Sequence, residues 1–418
     1  MMKKDLNPSP QSEFQTATLP NGLRVIYHPL PTRVAYCGYV VCAGTRHEEA
    51  ADSGMAHFIE HMTFKGTHRR RACHITNGLE RVGGDLNAYT TKQETVYYAA
   101  VMREDFARAV DLLTDVVFHS TYPQHEIDRE VEVICDEIDS YKDSPAELIF
   151  DEFEGRLFRG HGLGRDILGS PERLRTYTTA DALRFTQRYY RPANCVFYAC
   201  GQLDFARVLR LLQKSQEGLT ADALPAAAGE LPPVEPFEQV VHKPIHQAHV
   251  LLGNRTFGGA DPRRYALFLL NNLLGGPGMN SRLNVALRER AGLVYTVETS
   301  LGTYPDTGSW NLYFGCEPHD VGRCLRIVRR ELGRLVQQPL TPAQLQAARK
   351  QLKGQVGISR DNFESYSLGM ARTYAHYHTT NDLARLYAGL DAVRPEDVQQ
   401  VAAEFFHPDK LNTLIYEP

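Results

Sequence analysis

The chain has 418 residues, 43% of them hydrophobic and 23% charged, with 46 Lys and Arg against 50 Asp and Glu for a net charge of -4. So even a balance leaves no basic footprint for nucleic acid, and no stretch approaches the roughly 18 apolar residues of a membrane span. The length suits two domains of about 200 residues, each with a core of its own, better than it suits one.

Residues 1–10 carry two lysines with no apolar run behind them, which is not the pattern of a secretory signal. TATLPNGLRVIYHPL then sets Asn21-Gly22 between two strand-like stretches, a hairpin signal. VAYCGYVVCAGTR reads as a largely apolar strand. SGMAHFIEHMTFKG switches to helical periodicity, with Ser53 as the expected N-cap and Gly66 as the stop. A helix over ITNGLERVGG leads into DLNAYTTKQETVYYAAV, whose Thr, Tyr and Val content predicts a pair of short strands or one long bent strand. Amphipathic helices are expected at 103–118 and 124–142 and further helix near 171–190, before a closing strand, CVFYACGQL.

Residues 215–240 turn abruptly to Ala, Pro, Gly and Glu without periodicity, the composition of a linker. Beyond it the order of elements recurs. AHVLLGNRTF is a strand, 262–275 a helix, SRLNVALRERAG a second helix, and LVYTVETSLG and GSWNLYFGCEP are strands. A long helix at 341–358 opens on Thr341-Pro342, an N-cap with proline at the first helical position. A helix near 395–406 and the strand LNTLIYEP close the chain. The expected fold is therefore α+β: two similar sandwich-like halves, each a mixed, mainly antiparallel sheet with helices packed on it. They occupy 1–214 and 241–418, joined by the linker at 215–240. The eight cysteines (37, 42, 73, 135, 195, 200, 316 and 324) include no Cys-x-x-Cys pair, which suits reduced thiols in a cytoplasm, most simply a bacterial one.

The chemistry concentrates in His57-Phe58-Ile59-Glu60-His61. On a helix, positions i, i+3 and i+4 share a face, so both imidazoles and the carboxylate point into one metal-sized volume. A catalytic zinc takes three protein ligands and keeps a position open for water. Glu60 sits too close in sequence to be a comfortable third ligand, but it can take the proton from the water. The order His-x-x-Glu-His is that of the inverzincins. The apolar Phe58 and Ile59 imply a partly buried helix, where two histidines with nothing to bind would be awkward. A third ligand is expected from another element, with Glu130 and Glu137 of DREVEVICDEI as the choices, seven apart and on one helix face.

GMAHFIEHMTFKGT, followed by REVEVICDEI with Glu137 76 positions after His61 (137−61), closely resembles the pitrilysin family. Within it, the similarity is to the two-domain subfamily of mitochondrial processing peptidase and to bacterial peptidases of similar length. The resemblance implies that Glu137 completes a zinc site of one ion per chain and that Glu130 is a carboxylate orienting it. Read alone, both would be ordinary helix-surface acids. GGDLNAYTTKQETVYY resembles the family's strand beside the zinc helix, which implies that an extended substrate pairs along its edge and meets Asn87 and Ala88. SRLNVALRERAGLVYTVETS resembles the segment carrying a paired arginine and tyrosine, here Arg288 and Tyr295, placed to bind substrate carbonyls or the developing oxyanion. Peptide hydrolysis with Glu60 as general base follows, in a homodimer or a heterodimer with a related subunit. The competing expectation is a non-catalytic subunit or peptide-binding scaffold of the same fold. The pairs His246/His249 and His376/His378 lack a third ligand and read as solvated or core histidines.

Overall fold

A computed structural model describes residues 14–220, 229–380, 382–407 and 410–418. The lysine-bearing start of the chain and part of the expected linker, 221–228, lie outside these residues. Two compact units form, and neither is continuous in sequence. Among the described residues, the first comprises 14–135, 167–220 and 362–380, and the second 136–166, 229–361, 382–407 and 410–418.

In the first unit a six-stranded sheet contains β1 (Gln15–Thr18), β2 (Arg24–His28), β3 (Val34–Val41), β4 (Asp85–Thr90), β5 (Thr95–Met102) and β6 (Cys195–Cys200). Their order is β1-β2-β6-β3-β5-β4, with β2 and β6 parallel and the other pairs antiparallel. The expected hairpin joins β1 and β2: Asn21 Oδ1 accepts from the Leu23 N–H, and Gly22 has a φ of +86°. The second unit's sheet contains β7 (Glu238–His242), β8 (Ala248–Thr256), β9 (Val294–Thr303), β10 (Gly308–Cys316) and β11 (Asn412–Glu417), in the order β7-β11-β8-β10-β9. Here β7 and β11 are parallel and the other pairs antiparallel. Without β1, the two orders are the same topology. The duplication expected from element order alone is therefore present strand by strand, and the fold is the mixed-sheet α+β arrangement anticipated.

The helices are α1 (Met55–Thr63), α2 (Ala72–Glu80), α3 (Phe106–His119), α4 (Gln124–Lys142), α5 (Pro145–Leu157), α6 (Pro171–Leu174) and α7 (Thr179–Tyr189), followed by α8 (Phe205–Ser215) and α9 (Arg264–Gly275). The rest are α10 (Val321–Gln337), α11 (Pro342–Ser359), α12 (Phe363–Tyr377), α13 (Leu383–Ala392) and α14 (Pro395–Phe405). In β8, Ala248, Val250 and Leu252 belong to a core with α9, α10 and α14, while Leu251 belongs to a second core with Ile149, Phe153 and Leu157 of α5. The period of two thus buries both faces of the sheet, which is why the strand reads as a continuous apolar run. The first sheet is covered in the same way by α12, whose Tyr366, Met370 and Ala371 pack with Ile26, Val40 and Val196.

These two helices correct the expected domain limits. α5 precedes the linker yet covers the second sheet, and α12 follows the linker yet covers the first, because each supplies the apolar stripe that closes a sheet face. The expected linker is also shorter than 215–240, since Glu238 already pairs with Thr413 as the start of β7. SRLNVALRERAG is not a regular helix: Asn284–Glu289 is a π-helical turn.

Trp310 is fully buried in β10 with its ring centroid 4.1 Å from that of Phe406. Trp310→Ala is expected to cost about 3–5 kcal/mol, read as a lowered urea midpoint. An unchanged midpoint would contradict the packing described.

Candidate metal centre

Helix α1 is only nine residues long, too short to be stable by itself, so its neighbours must hold it. Its apolar residues Met55, Ala56, Phe58, Ile59 and Met62 are all buried. The expected Ser53 cap is displaced by one residue to Gly54, which has a φ of +82°. Instead of a capping hydroxyl, the buried carboxylate of Glu48 accepts from the N–H groups of Gly54 (3.0 Å) and Ala56 (2.8 Å). An acid there satisfies two otherwise orphaned donors and suits the positive end of the helix dipole. The Ser53 carbonyl takes the Tyr177 hydroxyl at 2.8 Å. Near the other end, Thr63 Oγ1 donates to the Ile59 carbonyl and lies 3.1 Å from the Tyr97 hydroxyl.

So fixed, α1 presents His57, Glu60 and His61 together. The two imidazole centroids are 4.6 Å apart. Among the described residues, one group of three side chains can hold a metal ion: His57, His61 and Glu137, whose donor atoms all lie within 4.8 Å of one another. Glu137 is carried by α4, an unbroken helix from Gln124 to Lys142 with Glu130 two turns earlier. The boundary between the compact units falls inside this helix, so the position of Glu137 follows from that of Glu130. Glu130 Oε1 lies 3.0 Å from His61 Nδ1, leaving the other ring nitrogen of His61 as the ligand atom, and Glu130 Oε2 is 2.5 Å from Lys65 Nζ. A carboxylate behind a ligating imidazole fixes its tautomer and raises its basicity.

The electrostatics suit a cation. Burial, aided by the neighbouring His61, lowers the His57 pKa to about 3, so its imidazole is neutral and able to ligate at ordinary pH. Burial opposes ionisation of Glu130, but hydrogen bonds from His61 and Lys65 outweigh it and leave its pKa below the usual carboxylate range. Two imidazoles and a carboxylate on a rigid frame are the donor set of a three-ligand zinc site. Glu60 stands beside it, its Oε2 accepting from the Thr90 hydroxyl at 2.6 Å.

Thr90 ends β4, an edge strand of the first sheet. Asn87 is exposed on that strand, its Oδ1 accepting from the N–H of the half-buried Ala88 at 2.8 Å. In the second unit, the Arg288 guanidinium carbon lies 5.3 Å from the centroid of the Tyr295 ring, and Tyr295 is 82% exposed on β9, again an edge strand. Both line a cleft of about 410 Å³ floored by Gly275–Met279. His57, Glu60, His61, Glu130 and Glu137 are thus brought together, with Asn87 and Ala88 on the adjoining strand, and Arg288 meets Tyr295. Of the paired histidines in the second half of the chain, His249 bonds the Tyr313 hydroxyl at 2.8 Å and His376 bonds Glu94 at 2.6 Å.

Glu48, Lys65 and Thr90 escaped the sequence reading. Lys65 is four residues beyond His61 and Glu130 was already singled out, so a charge at i+4 facing that acid was the available signal. Thr90 acts through a tertiary contact that no local spacing encodes, and Glu48 reaches the helix start from a loop six and eight residues before the N–H groups it holds, outside the local capping pattern.

A family model described as insulinase (peptidase family M16) matches residues 24–171, and one described as the peptidase M16 inactive domain matches 176–352. An uncharacterized zinc protease of Streptomyces coelicolor is 32% identical over 93% of this chain and 86% of its own length. YmxG of Bacillus subtilis, also called a zinc protease, is 31% identical over 95% and 97%. The mitochondrial-processing peptidase subunit beta of Pongo abelii is 30% identical over 94% and 82%. Among solved structures, a protease from Helicobacter pylori superposes with a TM-score of 0.90 over 97% of this chain and 99% of its own at 24% identity, a likeness of fold.

A Cβ on Gly54 would lie 2.8 Å from the Gly169 Cα and the Leu168 carbonyl oxygen, on a backbone already at positive φ. Gly54→Ala is therefore expected to cost about 1–3 kcal/mol, measured by denaturant unfolding. A neutral substitution would show that α1 is not anchored here.

Proposed function

The chain belongs to the insulinase (M16) family of peptidases, and from that premise we propose that it is a zinc metalloendopeptidase acting on unfolded peptides and small polypeptides. The observation that carries this reading is the convergence of His57, His61 and Glu137 donor atoms within 4.8 Å, with the Glu60 carboxylate on the same helix face. These three side chains would hold one zinc ion per chain. When bound, such an ion acidifies a water and polarises the carbonyl to be attacked.

The protein's own residues do the rest. Glu60 takes the proton from the attacking water and returns it to the leaving amine. The Thr90 hydroxyl holds one oxygen of Glu60 and so aims the other. Glu130 keeps His61 in the ligating tautomer and is itself held by Lys65. An extended peptide adds to the free edge of β4 beside Asn87 and Ala88, where main-chain hydrogen bonds give binding with loose side-chain preference. Arg288 and Tyr295 are assigned to substrate carbonyl oxygens or the developing oxyanion, where fixed donors and charge matter most. A homodimer, or a heterodimer with a related subunit, is the assembly favoured by similarity to a protein named as a subunit. The eight free cysteines suit a reducing compartment such as the bacterial cytoplasm.

Two measurements test this. Wild type is expected to cleave a pool of unstructured quenched-fluorescent peptides and to stop when a chelator is added. Glu60→Gln should retain zinc and lose about 10²–10⁴-fold in rate; near-wild-type activity in that variant, or a wild type that binds no metal, would sink the proposal. Glu130→Gln should weaken zinc binding by about 10–100-fold in chelator competition, and unchanged affinity would remove Glu130 from its positioning role.

A further inference from the structure

The second unit holds a cavity of about 380 Å³ apart from the Arg288–Tyr295 cleft. The helical segment from Ser281 to Arg290 is the wall the two share. Ser281, Asn284 and Arg288 face the cleft, whereas Arg282 and Arg290 face the cavity, whose far side is formed by Glu331, Arg334, Gln338 and Gln344.

Three arginines and one glutamate therefore line the cavity, with Arg290 on its exposed side. Glu331 is the sole acid among the described residues lining the cavity, and it is already engaged: its Oε1 takes Arg334 Nη1 at 2.8 Å and lies 3.6 Å from Arg330 Nε. Arg282 is half-buried and makes no side-chain hydrogen bond among the described residues. Burial lowers its pKa from the ordinary arginine value, with Glu331 opposing and Arg334 adding to the effect. A guanidinium does not escape such a place by losing its proton. With no hydrogen-bonded protein partner, its donors are open to an incoming anion. The guanidinium fork binds phosphate and carboxylate groups through paired hydrogen bonds. The volume lies within the range of about 300–1,000 Å³ of small-molecule sites, large enough for a compound with more than one anionic group.

We propose that this cavity binds a small, multiply charged anion, a phosphate or polycarboxylate compound, through Arg282, Arg290 and Arg334. The site is independent of the zinc-type cluster and needs no catalytic turnover to be detected.

The test is calorimetric titration of the full chain as purified, at low ionic strength and with its metal content measured, using pyrophosphate and citrate in turn. Saturable binding of one equivalent per chain by at least one probe is expected. Pyrophosphate alone would assign phosphate chemistry, citrate alone carboxylate chemistry, and both together the shared charge. Affinity should fall at least about 10-fold in Arg282→Gln and in Arg334→Gln, with no change in Arg207→Gln on the exposed face of α8. Arg334 is 56% exposed, so its variant keeps the fold testable if Arg282→Gln does not fold. Both probes chelate zinc, so binding that persists undiminished in the two cavity variants is metal capture and overturns the proposal. Failure of both probes to bind overturns it as well.

Discussion

The N–H groups that open a helix have no partners within it, and in α1 a buried carboxylate supplies them. Glu48 holds the N–H groups of Gly54 and Ala56, Gly54 lies against Gly169 where a side chain would collide, and Tyr177 holds the Ser53 carbonyl. A nine-residue helix has too few internal hydrogen bonds to fix its own direction. These external contacts fix it, and with it the directions of His57, Glu60 and His61. The His61–Glu130–Lys65 chain then ties α4 to α1, and the rigidity of α4 carries Glu137 to the remaining side of the site.

The same economy of parts governs the fold. Each unit repeats one strand order, and each sheet is buried on both faces, so each needs an apolar helix that its own contiguous segment does not provide. α5 and α12 fill those places by crossing the linker in opposite directions. The two repeats have diverged at equivalent edges. β4 carries Asn87 and ends at Thr90 beside the helix with the histidines, whereas β9 carries the exposed Tyr295 under Arg288. The π-helical turn at Asn284–Glu289 adds a residue to the turn just before β9, in the segment that separates the Arg288 cleft from the arginine-lined cavity.

Much of this was legible without coordinates. The Asn21-Gly22 hairpin, the helix over Gln124–Lys142 and the strands β8, β9, β10 and β11 follow from turn chemistry and apolar runs. α10 was readable but missed: Val321, Cys324, Leu325, Val328, Leu332 and Leu335 recur at helical spacing and are all buried. α5 and α12 carry weaker stripes, and nothing in a local pattern says which sheet such a stripe will cover. The Ser53 cap failed for a related reason. A hydroxyl at that position satisfies the local rule, but the Glu48 carboxylate from the preceding loop took the helix terminus.

By itself, the sequence determined what spacing along one helix can determine: that His57, Glu60 and His61 share a face, and that Glu130 and Glu137 share another, because 3.6 residues per turn is a property of the backbone. It also marked, through apolar runs, where several of the strands lie. Only the tertiary structure decided that these two helix faces meet, that Glu130 turns to His61 while Glu137 joins the imidazoles, and that Thr90 rather than a nearer neighbour holds Glu60. It alone set Arg282, Arg290 and Arg334 on one cavity with Glu331. Distances between elements depend on how side chains pack across tens to hundreds of residues of intervening chain, and no local periodicity carries that information.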